Sequence, residues 1–194
     1  VNKEHIFILG DDQTDEYGVE NGPHSTAFAI GKKLVIGCAH SLTLVLTGNS
    51  TRTKKEYQYN EDYWIQNVIS KHVNGSVSSD DRIPLKLYKF HVKNDWALFL
   101  RHDELEFGYF LQIETLTATV THARANLLHC PVSLLHQMQY SQEFSLSCNI
   151  SAVTIQNQSS HHLKYSGESP CRGSSGGALH LGNSNKVVGM HLEA

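Results

Sequence analysis

Short apolar runs separated by polar turns recur along the whole chain. Ser25–Ile30, Lys33–Gly37, Leu42–Thr47, Leu85–Phe90, Trp96–Arg101, Thr115–Thr121, Phe144–Thr154 and Lys186–Leu192 are rich in Val, Ile, Leu, Thr and Phe. Gly, Asn, Asp and Ser bound them. Branched and aromatic side chains suit a pleated, half-buried surface, and the bounding residues supply turn conformations. Helical periodicity is scarce. Tyr63–His72 is one short helical candidate, and Pro131 breaks Leu127–Tyr140 as a continuous helix. The pattern predicts an all-β chain, a sandwich or a barrel. Asn49–Tyr59, Asn74–Arg82 and Gln156–His162 read as surface loops. No repeat period and no low-complexity tract is visible.

Composition narrows the class. The chain has 194 residues, enough for one large domain or two packed subdomains. Its net charge of −3 points to neither nucleic acid nor an anionic membrane as a partner. No apolar run is long enough to span a bilayer. Val1–His5 does not read as a signal peptide. Cys38, Cys130, Cys148 and Cys171 form no Cys-x-x-Cys pair, so neither a zinc site nor a thioredoxin-like motif is indicated. They read as buried free thiols of an intracellular protein in the cytoplasm or nucleus. Asn49, Asn74, Asn149 and Asn157 stand in Asn-x-Ser/Thr sequons against about two expected by chance, which weighs weakly towards secretion.

The densest chemical signal is Cys171-Arg172-Gly173-Ser174-Ser175-Gly176-Gly177. Glycines let a backbone turn tightly, so that two N–H groups can point at one spot beside the Ser175 hydroxyl. The expected donors are the N–H groups of Gly173 and Ser175. Taken alone, the stretch reads equally as a surface turn. A serine hydroxyl needs a base to become a nucleophile. His40 follows the apolar run Leu34–Ala39 and would sit at a strand end. There are 13 histidines, so His40 by itself is unremarkable. Asp95 enters the apolar run Trp96–Leu100, where a carboxylate must find a partner. An imidazolium would be one, a capped strand start another. The order His, then Asp, then Ser along the chain is that of the chymotrypsin triad.

On these motifs the chain resembles the trypsin/chymotrypsin-fold serine peptidases. Cys38-Ala39-His40 is similar to the family's Ala-Ala-His, Asp95-Trp96-Ala97-Leu98 to its Asp-Ile-Ala-Leu, and the Ser175 motif to its Cys-x-Gly-Asp-Ser-Gly-Gly. The resemblance implies two six-stranded antiparallel barrels, residues 1–105 and 106–194, with the site in the cleft between them. The second barrel is expected to lack its last strand and helix. It implies a serine endopeptidase acting on a polypeptide substrate through His40, Asp95 and Ser175, without a cofactor. Two departures stand out. Ser41 replaces the usual cysteine after the histidine, leaving Cys38 without that partner. Ser174 replaces the aspartate that zymogens use to bind a new N-terminus.

Gly189-Met190-His191 is similar to a pocket element of glutamyl endopeptidases and picornaviral processing proteases. The resemblance implies that His191, with Ser169 and Pro170, lines a pocket for Glu or Gln at P1. Pro170 departs from the hydroxyl residue expected there, and a hydrophobic P1 or a structural His191 stays open. Other readings also remain: a catalytically silent binding module, or a self-cleaving domain of a larger regulatory protein. His122, His129 and His136 recur every seven residues, but Pro131 interrupts them, and no metal site is expected. Trp64 and Trp96 read as core aromatics.

Overall fold

A computed structural model describes residues 2–14, 20–42, 62–67, 71–73, 82–113, 119–130, 143–145, 148–167, 174–182 and 184–192. The strands are β1 (Ile6–Thr14), β2 (Glu20–Ala29), β3 (Leu34–Gly37), β4 (Asp62–Asn67), β5 (Lys71–Val73), β6 (Arg82–His91) and β7 (Trp96–Arg101). They continue as β8 (Arg124–His129), β9 (Glu143–Ser145), β10 (Asn149–Gln158), β11 (Leu163–Gly167), β12 (Ala178–Leu181) and β13 (Val187–Met190). The fold is all-β, as the pattern predicts.

Six strands close a barrel in the order β1-β2-β3-β7-β6-β4, every pair antiparallel. Closure leaves no edge for another chain to pair with. Alternation drives it. In β7, Ala97 and Phe99 point inward, while Leu98 and Leu100 point away. Phe99 lies opposite Val35 in the ladder with β3. Phe7, Leu9, Ile65 and Leu85 fill the rest of the interior.

The second unit is a sheet of five strands among the described residues, ordered β11-β10-β8-β12-β13. Its central strand β8 drops the alternation, because both of its faces are covered. Leu127 packs with Val153, Ile155 and Leu179 inside the curled sheet. Leu128 packs on the other side against Ile6, Ile8 and Phe28 of the barrel. That second cluster, with Trp64, Cys130 and Ala178, glues the two units together. A further pair, β5 with β9, joins the two halves of the chain.

Several expectations need correction. The described part of Tyr63–His72 is not helical but lies in β4 and β5, with Tyr63, Trp64 and Ile65 all buried, while 68–70 lie outside the described residues. Two consecutively buried faces hide the period of two on which a strand reading depends. Residues 119–121 are not strand, as the expected strand Thr115–Thr121 would require, and a turn covers 121–122, while 115–118 lie outside the described residues. Phe144–Thr154 is two strands, β9 and β10. Gln156 and Asn157 belong to β10, so only 159–162 form the loop. Leu42 ends a helical turn over 39–42, and 43–47 lie outside the described residues. No helix among the described residues is long and apolar enough to cross a membrane.

Candidate active site

His40 sits in the helical turn that leaves β3, and Asp95 in the turn between β6 and β7. These strands neighbour each other through β7, so their ends bring the two residues together. Asp95 adopts a left-handed backbone (φ 59), its N–H donating to Val92 O at 3.2 Å. Aspartate tolerates that conformation better than most residues. Its carboxylate then meets His40 twice. The backbone N–H of His40 donates to Oδ1 at 2.7 Å, and Nδ1 lies 2.5 Å from Oδ2. The double contact fixes both the ring's position and its tautomer.

Ser175 arrives from the other unit, in the turn 174–177 before β12. Its Oγ lies 3.0 Å from His40 Nε2. It also lies 3.0 Å from the carbonyl oxygen of Leu192. One hydroxyl proton therefore has two acceptors. The turn is wedged between the units. Thr26 N of β2 donates to Ser175 O at 2.9 Å, and Gly176 N donates to His191 O at 2.7 Å. Gly176 has φ 88, and a Cβ there would collide with the carbonyl oxygen of Thr26. Only glycine fits such an approach. A Cβ on Gly177 would likewise meet Leu128 O at 2.8 Å. Gly176 and Gly177 are thus required by contact with β2 and β8.

The three residues expected to act together are brought together. Gly173, Ser169 and Pro170 lie outside the described residues. His191 is buried, its carbonyl accepting from the Cys38 thiol at 3.3 Å. Its Nδ1 is hydrogen-bonded to the Tyr165 hydroxyl of β11. Burial, with smaller contributions from the nearby His129 and His40, lowers the imidazole to about 4. Burial raises the Tyr165 phenol above its ordinary range. Both groups are therefore uncharged at neutral pH. A cavity of about 570 Å³ opens beside β13, walled by Leu163, Tyr165, Leu179, Met190 and Leu192. His191 is not among its walls, although Met190, Leu192 and Tyr165 are.

Cys38 Sγ and ligand atoms of His40 and Asp95 lie within 4.8 Å of one another, the one potential metal-binding trio among the described residues. Burial, reinforced by the Asp95 charge, pushes the Cys38 thiol well up, away from the thiolate a metal would need. Cys38, Cys130 and Cys148 are buried free thiols. His129 of the heptad-spaced set is a buried strand residue hydrogen-bonded to two serines. His122 occupies a turn, and His136 lies outside the described residues. Tyr165, Leu192 and the partners of Ser174 escaped sequence reading. Their roles come from contacts between strands far apart in the chain, which leave no local motif.

No family model and no curated protein matches the chain. Solved structures do. The protease domain of MamO from Magnetospirillum magneticum, in its apo form, superposes with a TM-score of 0.60 at 13% identity, covering 99% of this chain and 85% of its own. The Rv3671c protease in an inactive form gives 0.59 at 12% identity, covering 99% and 79%. The chain shares the chymotrypsin-type fold of these protease domains.

Proposed function

We propose that this chain is a serine endopeptidase. The observation that carries the reading is the hydrogen-bonded line Asp95–His40–Ser175, with 2.5 and 3.0 Å links, at the junction of the two units. Ser175 Oγ attacks the scissile carbonyl carbon, and its proton passes to His40 Nε2. Asp95 holds the imidazolium that forms. The carbonyl oxygen becomes an oxyanion, stabilised by the N–H groups of Gly173 and Ser175. His40 then protonates the leaving amine, the C–N bond breaks, and an acyl-enzyme remains. Water, deprotonated by the same imidazole, clears it. The sequence needs no cofactor. A substrate N–H donating to Leu192 O would remove the competing acceptor and direct the Ser175 proton to His40.

His191 supports a P1 preference for Gln or Glu. With Tyr165 O–H donating to Nδ1, the neutral ring keeps an Nε2–H donor for a side-chain carbonyl oxygen. A pocket built around a donor rejects apolar side chains, which leave it unpaired. An uncharged imidazole offers a buried carboxylate no counter-charge, so Gln is expected over Glu at neutral pH.

Fluorophosphonate labelling read by mass spectrometry tests the reading. One adduct on Ser175 is expected, absent in Ser175→Ala and slowed by about 10³-fold or more in His40→Ala. An unlabelled, folded chain refutes it. On a P1-varied peptide library, Tyr165→Phe should weaken the Gln preference by about tenfold. A parent preference for apolar P1 residues would remove the role of His191 and leave the peptidase reading standing.

A further inference from the structure

A second buried polar chain lies directly beneath Ser175. Ser174, fully buried, places its Oγ 2.7 Å from Nδ1 of His129. Nε2 of the same ring lies 2.9 Å from Ser151 Oγ. His129 belongs to β8 and Ser151 to β10, and the ladder between these strands pairs His129 with Asn149 and Leu127 with Ser151. Those two members are thus held by a sheet. The turn 174–177 is tied by backbone bonds to β2 and to His191, and the Ser174 hydroxyl adds a tie to the sheet from within.

The chemistry of the three groups makes them interdependent. A neutral imidazole carries one donor and one acceptor, and each serine hydroxyl can play either part. The hydroxyl–imidazole–hydroxyl line is therefore fully satisfied, and loss of any member strands a buried polar atom. The turn is also pressed onto β8 at this point. Gly177 N donates to Ser174 O at 3.0 Å, and a Cβ on Gly177 would approach Leu128 O at 2.8 Å and His129 Cβ at 3.1 Å. The peptide unit joining Ser174 to Ser175 carries the N–H that the proposed reaction needs as an oxyanion donor. Its carbonyl accepts from Gly177 N, and the Ser174 hydroxyl bonded inside the sheet ties the same residue from the side-chain end.

We propose that His129 and Ser151 are positioning residues. Through Ser174 they hold the Ser174–Ser175 peptide with its N–H aimed at the oxyanion. The proposal rests on the serine endopeptidase reading.

The test measures the fluorophosphonate inactivation rate at saturation (kinact) and the half-saturating concentration (KI), with thermal melts alongside. Ser174→Ala and His129→Leu should lower kinact by about 10 to 100-fold with KI unchanged, as expected when an oxyanion donor is misplaced and ground-state binding is not weakened. His129→Gln, whose amide offers both a donor and an acceptor, should recover about tenfold over His129→Leu. If His129→Leu does not fold, Ser174→Ala decides, since it removes a single oxygen. A kinact within twofold of the parent in folded Ser174→Ala overturns the proposal while the peptidase reading survives. So does a drop in His129→Leu that His129→Gln fails to recover. An unlabelled parent removes the peptidase reading, and this proposal with it.

Discussion

The two units bury different things. The six-stranded barrel is filled mainly by apolar side chains, among them Phe7, Leu9, Val35, Ile65, Leu85 and Phe99, although its strands also bury Asp11 and Gln66. The five-stranded unit buries histidines instead. His129 bridges two serines, His191 is bonded to Tyr165, and His180 faces His5 across the junction, Nε2 to Nε2 at 3.0 Å. An apolar interior needs only volume and shape, whereas a buried imidazole is destabilising unless each nitrogen finds a partner. The closed barrel therefore acts as scaffold, presenting His40 and Asp95 from strand ends. The open sheet gives up stability to polar contacts where the proposed chemistry takes place.

The sharpest way to break this division is at the junction between the units. Gly176→Ala places a methyl against Thr26 O in a backbone region that costs a non-glycine residue about 1–3 kcal/mol before any clash. Labelling of Ser175 should fall by more than about 100-fold, read by mass spectrometry. A fully reactive variant would show that the turn is not held as described. Next in size is the scaffold itself. Phe99→Ala should cost about 3–5 kcal/mol in urea unfolding, because the closed barrel cannot collapse around the void. Below its new midpoint the labelling rate should stay near that of the parent. Weaker labelling in the folded variant would mean that the barrel tunes the site as well as supporting it.

The smallest expected effect concerns the junction histidines. Burial, with the neighbouring His180, holds His5 down at about 3, against about 6.5 in an unfolded chain. The unfolded chain thus takes up the proton first, so this contribution to stability is whole above about pH 6.5. It declines as pH falls from there towards 3. By pH 4.5 the loss should reach about 1–3 kcal/mol, or about 3–10 °C in Tm. His5→Gln should flatten that limb of the pH profile relative to the parent. Equal acid sensitivity in both would place the titration elsewhere.

Legibility in the sequence cut across that division. Trp96–Arg101 was readable as a short apolar run with aromatic residues bounded by turn residues, although its in-and-out alternation is visible only in the structure. β4 and β8 were not, since burial on both faces erased the period. His40, Asp95 and Ser175 each sit in a short segment whose residue types carry a local physical demand: a strand end, a lone acid beside apolar residues, a glycine-framed serine. Tyr165 carried no such demand, and His129 invited a metal reading because seven-residue spacing is visible while its partners, Ser151 and Ser174, are not adjacent to it.

By itself, then, the sequence determined the β class and singled out the residues proposed to react, because those depend on local backbone preference and side-chain chemistry. Only the tertiary structure decided which histidines are neutral, which serine anchors the turn, and which glycine has no room for a methyl. Those properties depend on burial and on contacts between residues tens to more than a hundred positions apart, from Ser151–His129 to His40–Ser175. No linear pattern encodes such contacts, because they exist only once strands distant in the chain are packed together.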